Sequence, residues 1–210
     1  MTRIKSKKII SKLKQYYGNI KSSSLHYSNI YQLVVSVVLS AQTTDKQVNS
    51  VTSILFNKYT DFYSLSEAAV SDIELVIKSV GLYKTKARNI NNLSKIIVNE
   101  YNNIVPDELN KLISLPGIGR KSANVILSMG FNKPALPVDT HILRIANRIG
   151  YVNSSDPYKA EIALMNNIPE ENWIESHLLF IKHGRELCKA KKPLCLICPV
   201  SKLCNYALSQ

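Results

Sequence analysis

Glycine and proline are scarce in this chain of 210 residues, which has seven of the first and eight of the second. So few turn-forming residues disfavour loop-rich all-β folds and collagen-like repeats. Long hydrophobic runs are also missing. The longest apolar stretch, residues 33–39, is broken by Ser36 and is far shorter than the roughly 20 residues of a membrane-spanning helix. The N-terminus has neither the apolar core nor the small-residue cleavage site of a secretory signal. The sequence therefore predicts a soluble, cytoplasmic protein.

Acidic residues are few, with 15 Asp and Glu against 27 Lys and Arg, which gives a net charge of +12. Residues 1–20 hold six basic side chains and no acid, residues 182–204 hold six and only Glu186, and residues 22–181 balance to zero. Two solvated chain ends would explain this pattern. Two basic ends around a neutral centre also suggest one shared patch for a polyanion, most commonly a nucleic acid.

Hydrophobic residues recur at helical spacing along nearly the whole chain. The first 17 residues read as an amphipathic helix, and residues 30–39 as a buried one. Asp45 and Ser71 are predicted to cap later helices, with Ile54 on the buried face of the helix that follows Asp45. Residues 82–101 form a regular amphipathic pattern. We therefore predict an all-α fold.

A turn with the sequence Pro116-Gly117-Ile118-Gly119 separates two of these predicted helices. Its glycines allow positive φ and leave space for a close ligand. The N–H groups at the start of the helix near Arg120 favour an anion such as a DNA phosphate, whatever the base sequence. Ile118 is expected to anchor the turn in the core. A bare Gly-x-Gly would indicate only a tight turn, but the whole string Leu-Pro-Gly-Ile-Gly-Arg-Lys resembles the helix-hairpin-helix element of DNA repair proteins.

Two further residues suggest covalent chemistry. Lys121 follows Arg120 at a helix N-terminus. The positive end of the helix dipole and the charge of Arg120 both disfavour the protonated ammonium of Lys121. A Schiff-base nucleophile must be a neutral amine. Asp139, 18 residues further on, is predicted to cap the next helix. An ionised carboxylate near a sugar can also stabilise positive charge or help to activate a nucleophile. The spacing does not establish that the two residues face one pocket.

Four cysteines, Cys188, Cys195, Cys198 and Cys204, lie within 17 residues. The absence of a secretory signal argues against disulfides and favours a metal. Zinc is one possibility, although structural zinc sites usually pair two short C-x2-C units and only one is present. An iron–sulfur cluster suits the longer intervals better. The intervening Lys189, Lys191 and Lys192 would then form a rigid basic loop for DNA phosphates.

These features together resemble the endonuclease III family over about residues 8–205. The matching elements, in the order of the family, are the segment Leu39–Asp45, Gly81-Leu82-Tyr83, the hairpin with Lys121, Val138-Asp139-Thr140-His141, His183-Gly184-Arg185 and the four cysteines. The resemblance implies a bifunctional DNA glycosylase and abasic-site (AP) lyase of base-excision repair. The expected partner is duplex DNA that contains damaged pyrimidines or abasic sites, bound by a monomer with no membrane involvement.

The resemblance also implies roles for individual residues. Lys121 matches the nucleophile that attacks C1′, and Asp139 matches the catalytic carboxylate. Gln42 and Leu82 match residues that fill the gap and wedge the base stack, although a helix-end polar residue and a core leucine are the plain alternatives. His141 matches a residue near the pocket, or is simply a first-turn residue. The cysteine spacing matches the family's 4Fe-4S signature, with a structural role for the cluster.

The resemblance implies two helical domains, residues 22–132 with the hairpin, and residues 1–21 plus 133–210 with the cluster. A monofunctional adenine glycosylase is the nearest competing function. That relative lacks a lysine at position 121 and carries a catalytic glutamate in the early helix, whereas residues 32–42 contain no acid. A DNA-binding module without catalytic activity would leave Lys121 and Asp139 without a shared role. A zinc-bound nucleic-acid adaptor agrees with the sequence less well still.

Overall fold

The computed structural model describes residues 1–20 and 24–210. Over these residues the secondary structure is helical, with no β-strand, which confirms the all-α prediction. Single turns of 3-10 helix occur at Glu170–Asn172, Cys195–Ile197 and Ser201–Leu203. The α-helices are α1 (Arg3–Tyr17), α2 (Ile30–Leu39), α3 (Asp45–Lys58), α4 (Phe62–Glu67), α5 (Val70–Val76), α6 (Tyr83–Glu100), α7 (Leu109–Ile113), α8 (Arg120–Gly130), α9 (Thr140–Ile149), α10 (Pro157–Asn167), α11 (Trp173–Glu186) and α12 (Asn205–Leu208).

The chain divides into two compact units. One is Ser23–Lys133, and the other joins Met1–Ser22 to Pro134–Gln210. The expected domain boundary between residues 21 and 22 lies outside the described residues. Of the helices in the described ranges, none combines the length and the apolar character that a membrane crossing needs.

The Ser23–Lys133 unit is built around α2. Eight of the ten residues of α2 are buried, and it packs against α3, α6 and α8. The side chain of Asn29 caps α2 by accepting a hydrogen bond from the Gln32 N–H at 2.9 Å. Helix α6 packs in turn against α4 and α5. The buried helix predicted over residues 30–39 is confirmed with the same bounds.

Two predicted caps are wrong, because Asp45 and Ser71 both lie inside the helices that they were expected to cap. Thr44 caps α3 by accepting from the Gln47 N–H, while the Asp45 carboxylate accepts from the hydroxyl of Ser24. Helix α5 starts at Val70 with Ala69 at its cap position, so Ser71 lies inside the first turn. Ile54 is also misplaced, because its side chain is 58% exposed while the buried face of α3 passes through Val48, Val51, Thr52 and Leu55.

The second unit has its own apolar core. Helix α11 packs against α1 and α9, and α9 also contacts α10 and α12. Fully buried side chains from three of these helices meet in the core, namely Ile9, Leu13, Ile142, Ile145 and Phe180. The predicted N-terminal helix is confirmed, although Ile4 and Tyr16 point to solvent. The core therefore combines the N-terminal helix with the C-terminal part of the chain.

Candidate functional site

The predicted hairpin is formed by α7, a six-residue turn and α8. Ile118 is 4% exposed, and its N–H donates to the carbonyl of Leu115 at 3.1 Å. The expectation that Ile118 anchors the turn in the core is confirmed. Pro116 is half-buried, whereas the two glycines and the side chain of Lys121 are exposed.

The two glycines of the turn serve different needs. Gly117 has φ +81°, and a Cβ there would lie 2.9 Å from Asn89 Nδ2 and 3.0 Å from Val38 Cγ1. Glycine is therefore required at position 117 both by the positive φ and by the close packing of Asn89 and Val38. Gly119 has φ −92°, and a Cβ there would meet nothing within 4 Å. The absence of a side chain at Gly119 thus leaves the approach to α8 open on its outer side.

The N-terminus of α8 has a glycine where several other helices of this chain have a capping side chain. Gly119 occupies the cap position, and within the described part of the chain no side chain caps this helix. The first N–H groups of a helix have no partner inside it, and the helix dipole places partial positive charge there. Lys121 is the second residue of α8. An anion-binding backbone and an exposed amine thus occur within one turn of helix.

Asp139 caps α9 as predicted. Its Oδ1 accepts a hydrogen bond from the Ile142 N–H at 2.9 Å, and the residue is half-buried. Thr140 and His141 form the first turn of α9. Lys121 belongs to the Ser23–Lys133 unit and Asp139 to the other unit.

His141 is oriented by an arginine one turn further along α9. The Nδ1 of His141 lies 3.2 Å from Nη2 of Arg144, which also donates to the Gly184 carbonyl at 3.0 Å. Since a guanidinium only donates, Nδ1 must accept, and the proton of a neutral ring is on Nε2. A Cβ at Gly184 would lie 3.0 Å from the Cβ of His141, so glycine is needed for this close packing of α9 and α11.

Gln42 and Leu82 lie on neighbouring loops of the Ser23–Lys133 unit. Both have left-handed backbone conformations, with φ +52° for Gln42 and +59° for Leu82. Gln42 is exposed, and Leu82 is 61% exposed although it is a large apolar residue. A Cβ at Gly81 would lie 3.7 Å from the carbonyl oxygen of Gln42, so the two loops are in contact range. The plain interpretation of Leu82 as a core leucine is wrong.

Lys86 was missed by the sequence reasoning, which treated it as one basic residue among 27. It is 4% exposed, and its ammonium donates hydrogen bonds to the loop that carries Gln42. A usable signal exists in the sequence, because Lys86 lies beside Ala87 on the buried stripe of α6 that continues through Ile90, Leu93 and Ile97. A lysine at such a position is rarely buried unless its charge has partners.

All four cysteines line one pocket of the second unit, together with Arg148, His183 and apolar side chains. Cys204 is buried and the other three are half-buried. The pKa of Cys198 is raised to about 11, mainly by burial and to a smaller extent by the neighbouring cysteines. A metal must therefore displace the proton of this thiol when it binds. Among the described residues, no three His, Cys, Asp or Glu side chains converge closely enough for a single metal ion. Four soft thiol ligands around one pocket suit an iron–sulfur cluster.

Nitrogen groups lie beside two of the four cysteine sulfurs. Nη1 of Arg148 donates to the sulfur of Cys188 at 3.4 Å, and Nε2 of His183 lies 3.7 Å from the sulfur of Cys198. Burial lowers the pKa of His183 to about 4, so the ring is neutral at neutral pH. Its Nδ1 lies 3.0 Å from the hydroxyl of Tyr17. Such outer contacts orient ligands and adjust the properties of a metal site.

The three lysines between the first two cysteines, Lys189, Lys191 and Lys192, are all exposed. Arg148 holds the loop that carries them, because Nη1 donates to the Lys189 carbonyl at 2.6 Å and Nη2 to the Ala190 carbonyl at 3.0 Å. Lys192 has φ +50°, so the loop turns through the left-handed region there. The ammonium groups are thus carried on a backbone that is tied to the cysteine pocket.

Comparison with known proteins identifies the family. Residues 35–170 match the HhH-GPD superfamily of base excision DNA repair proteins, and residues 188–204 match the iron-sulfur binding domain of endonuclease III. Endonuclease III of Bacillus subtilis (strain 168) is 44% identical over 182 residues, 86% of this chain and 83% of that protein. Endonuclease III of Rickettsia felis is 40% identical over 201 residues, 94% of each chain.

A solved structure is also similar over the whole length. It is a trapped endonuclease III–DNA covalent intermediate, with a TM-score of 0.93 and 37% identity, and the match covers 100% of this chain and 98% of that one. Family models, full-length relatives and fold therefore agree, and the chain belongs to the endonuclease III family of the HhH-GPD base excision repair superfamily.

Proposed function

We propose that Lys121 and Asp139 perform the chemistry of this DNA glycosylase and AP lyase of base-excision repair. The observation that carries the assignment is the position of Lys121, an exposed amine in the first turn of a helix that no described side chain caps. The same turn offers N–H groups to a DNA phosphate. A nucleophile next to the site that binds the DNA phosphate is held close to the sugar that it attacks.

The reaction proceeds in two stages. The neutral Nζ of Lys121 attacks C1′ of the damaged nucleotide, and the C1′–N bond breaks with its electron pair leaving on the base. The C1′–O4′ bond then breaks to open the sugar, and the two protons of Nζ pass to the departed base and to O4′, which leaves a Schiff base between Nζ and C1′. Loss of a proton from C2′ then expels the 3′ phosphate by β-elimination, and hydrolysis of the Schiff base releases Lys121. The strand is cut on the 3′ side of the lesion.

Asp139 is assigned the role of the catalytic carboxylate. As positive charge develops on the sugar, a nearby carboxylate stabilises it. The hydrogen bond from the Ile142 N–H fixes the orientation of the carboxyl group at the start of α9. Structural capping and catalysis are compatible, because a carboxylate has two oxygens and each has two lone pairs.

Damaged duplex DNA is bound through several further residues. The substrate is duplex DNA with an oxidised pyrimidine or an abasic site, bound by a monomer in the cytoplasm, at the nucleoid. Gln42 fills the gap left by the extruded nucleotide, Leu82 wedges the stack, and His141 lies near the damaged base. Phosphate contacts come from two surfaces. One is the hairpin turn of Pro116, Gly117, Ile118, Gly119 and Arg120, in which Ile118 is the buried anchor, and the other is the basic loop with Lys189, Lys191 and Lys192.

The C-terminal region binds a 4Fe-4S cluster. We assign Cys188, Cys195, Cys198 and Cys204 as its ligands, because they are the thiols that line one pocket. The bound cluster supplies a rigid cross-link between distant points of the loop, which fixes the basic loop without taking part in the bond-breaking steps. A brown protein that loses its colour when all four cysteines are changed to serine supports this assignment, whereas a colourless zinc protein contradicts it.

Borohydride trapping tests the catalytic assignment. The purified protein is mixed with a duplex that carries one oxidised pyrimidine, and borohydride is added to reduce any Schiff base. We expect a covalent protein–DNA adduct from the unchanged protein and none from Lys121→Ala. No adduct with an abasic duplex would refute the Schiff-base mechanism. An undiminished adduct from Lys121→Ala would assign the nucleophile to another residue.

A further inference from the structure

Lys86 is a buried cation whose ammonium is held by neutral oxygens of the Ser23–Lys133 unit. Its Nζ donates to the carbonyl oxygens of Leu39 at 2.8 Å and Ala41 at 2.6 Å, and to Oγ1 of Thr43 at 2.7 Å. An ammonium has three N–H donors, and these three hydrogen bonds use all of them. Burial lowers the pKa of Lys86, because removal from water disfavours the charged amine.

The three acceptors lie on both sides of Gln42. Leu39 is the last residue of α2, so its carbonyl lies at the negative end of the helix dipole and has no partner within the helix. Ala41 and Thr43 are the two sequence neighbours of Gln42. The lysine therefore fixes the chain immediately before and after a residue that has φ +52°. Such strained conformations persist only where surrounding contacts determine them.

The backbone of Lys86 holds the loop that carries Leu82. Its N–H donates to the carbonyl of Leu82 at 3.0 Å, closing the first turn of α6 against a residue with φ +59°. Leu82 is also the cap residue of α6, where no described side chain provides a capping hydrogen bond. Lys86 thus supports Leu82 through its main chain and the Gln42 loop through its side chain.

We propose that Lys86 is a positioning residue that holds Gln42 and Leu82 as one preformed pair for insertion into the DNA stack. The proposal rests on the function proposed above. Ordering two exposed loops at the moment of binding would cost conformational entropy, and a pair that is fixed in advance avoids this cost. Lys86 acts on extrusion of the nucleotide and touches neither the substrate nor Lys121.

The test compares Lys86→Met with Lys95→Met, which removes an exposed lysine from the same helix. Single-turnover rates are measured for excision of an oxidised pyrimidine and for incision at a preformed abasic site. Extrusion costs less where there is no base to unstack. For Lys86→Met we expect excision to fall about tenfold and abasic-site incision to fall by less than about threefold, while Lys95→Met matches the unchanged protein.

A second readout follows the insertion directly. In a duplex with a non-cleavable abasic analogue, 2-aminopurine opposite the analogue reports whether the stack is opened. We expect a smaller fluorescence change with Lys86→Met than with the unchanged protein. In a Gln42→Ala, Leu82→Ala background, Lys86→Met should reduce excision by no more than about twofold further, because the residues act as a unit.

The outcomes separate the two proposals. If Lys86→Met does not fold, Thr43→Val removes one acceptor and should give a smaller decrease in the same direction. Equal decreases on both substrates, an unchanged excision rate, or a further tenfold decrease in the double-variant background would overturn the role of Lys86. Failure of the unchanged protein to excise or incise would instead refute the proposed function, and the fluorescence comparison would still test the pair.

Discussion

Nη1 of Arg148 lies 3.4 Å from the sulfur of Cys188, and its guanidinium packs over the ring of Tyr206 at 4.7 Å from the ring centre. The same guanidinium donates to the carbonyls of Lys189 and Ala190. The fixed fork of an arginine allows one side chain to hold a sulfur and two successive carbonyls. One residue therefore supports both the proposed cluster ligand and the proposed DNA-binding loop.

Arg148→Met should weaken both functions, because methionine keeps much of the side-chain length but has no donors. We expect the brown colour to fade faster in air and DNA affinity to fall about tenfold. Absorbance decay and fluorescence anisotropy with a non-cleavable abasic duplex measure the two effects. Lys159→Met, which removes an exposed charge from α10, serves as the control. Normal cluster lifetime and normal affinity in Arg148→Met would contradict the prediction.

Alanine at the two hairpin glycines should separate folding from DNA binding. Gly117→Ala forces a Cβ into Asn89 and Val38 at positive φ, so the free energy of unfolding should fall by about 1 to 3 kcal/mol. Gly119→Ala has open space and an ordinary φ, so stability should change by less than about 1 kcal/mol. Its methyl group would still obstruct a phosphate and lower DNA affinity several-fold. Denaturant unfolding and anisotropy measure these effects, and a stable Gly117→Ala protein would show that our account of the turn is wrong.

Two substitutions at Asp139 should separate capping from catalysis. Asparagine caps a helix about as well as aspartate, so Asp139→Asn should unfold within about 0.5 kcal/mol of the unchanged protein. Asp139→Ala should be less stable by about 1 kcal/mol. Both should reduce the excision rate by at least about 100-fold, because both remove the charge. If Asp139→Asn excises at the normal rate, the carboxylate is only a cap.

Neutralising the basic loop should change the salt dependence of DNA binding. Replacing Lys189, Lys191 and Lys192 with glutamine should reduce the slope of log affinity against log salt by up to about 0.9 for each DNA phosphate that the loop no longer neutralises. A triple variant at Lys58, Lys78 and Lys95 removes the same charge elsewhere and controls for net charge. Equal slopes in the two triple variants would mean that the loop lysines are only solvated.

Sequence periodicity predicted the helices well because apolar burial determines them. Residues 30–39 became α2, and Asp139 and Ile118 lie as expected, since a cap and an apolar anchor depend on local chemistry. The errors depend on longer-range contacts. Asp45 is engaged by Ser24, which is 21 residues away, and the burial of Lys86 depends on carbonyls 45 and 47 residues away. Spacing along one helix contains no information about such partners.

The unit that contains helix α1 begins first along the chain but is completed last during synthesis. The Ser23–Lys133 unit is one continuous segment, so all of its residues have been made before Pro134 is added. Helix α1 is made first, but it packs against α11, which is made last among the long helices. Its apolar residues Ile9 and Leu13 remain without their native contacts throughout most of translation. The same helix carries six basic residues and no acidic one, and a high charge of one sign opposes association of exposed apolar side chains, so this charge has a consequence for folding that does not involve DNA.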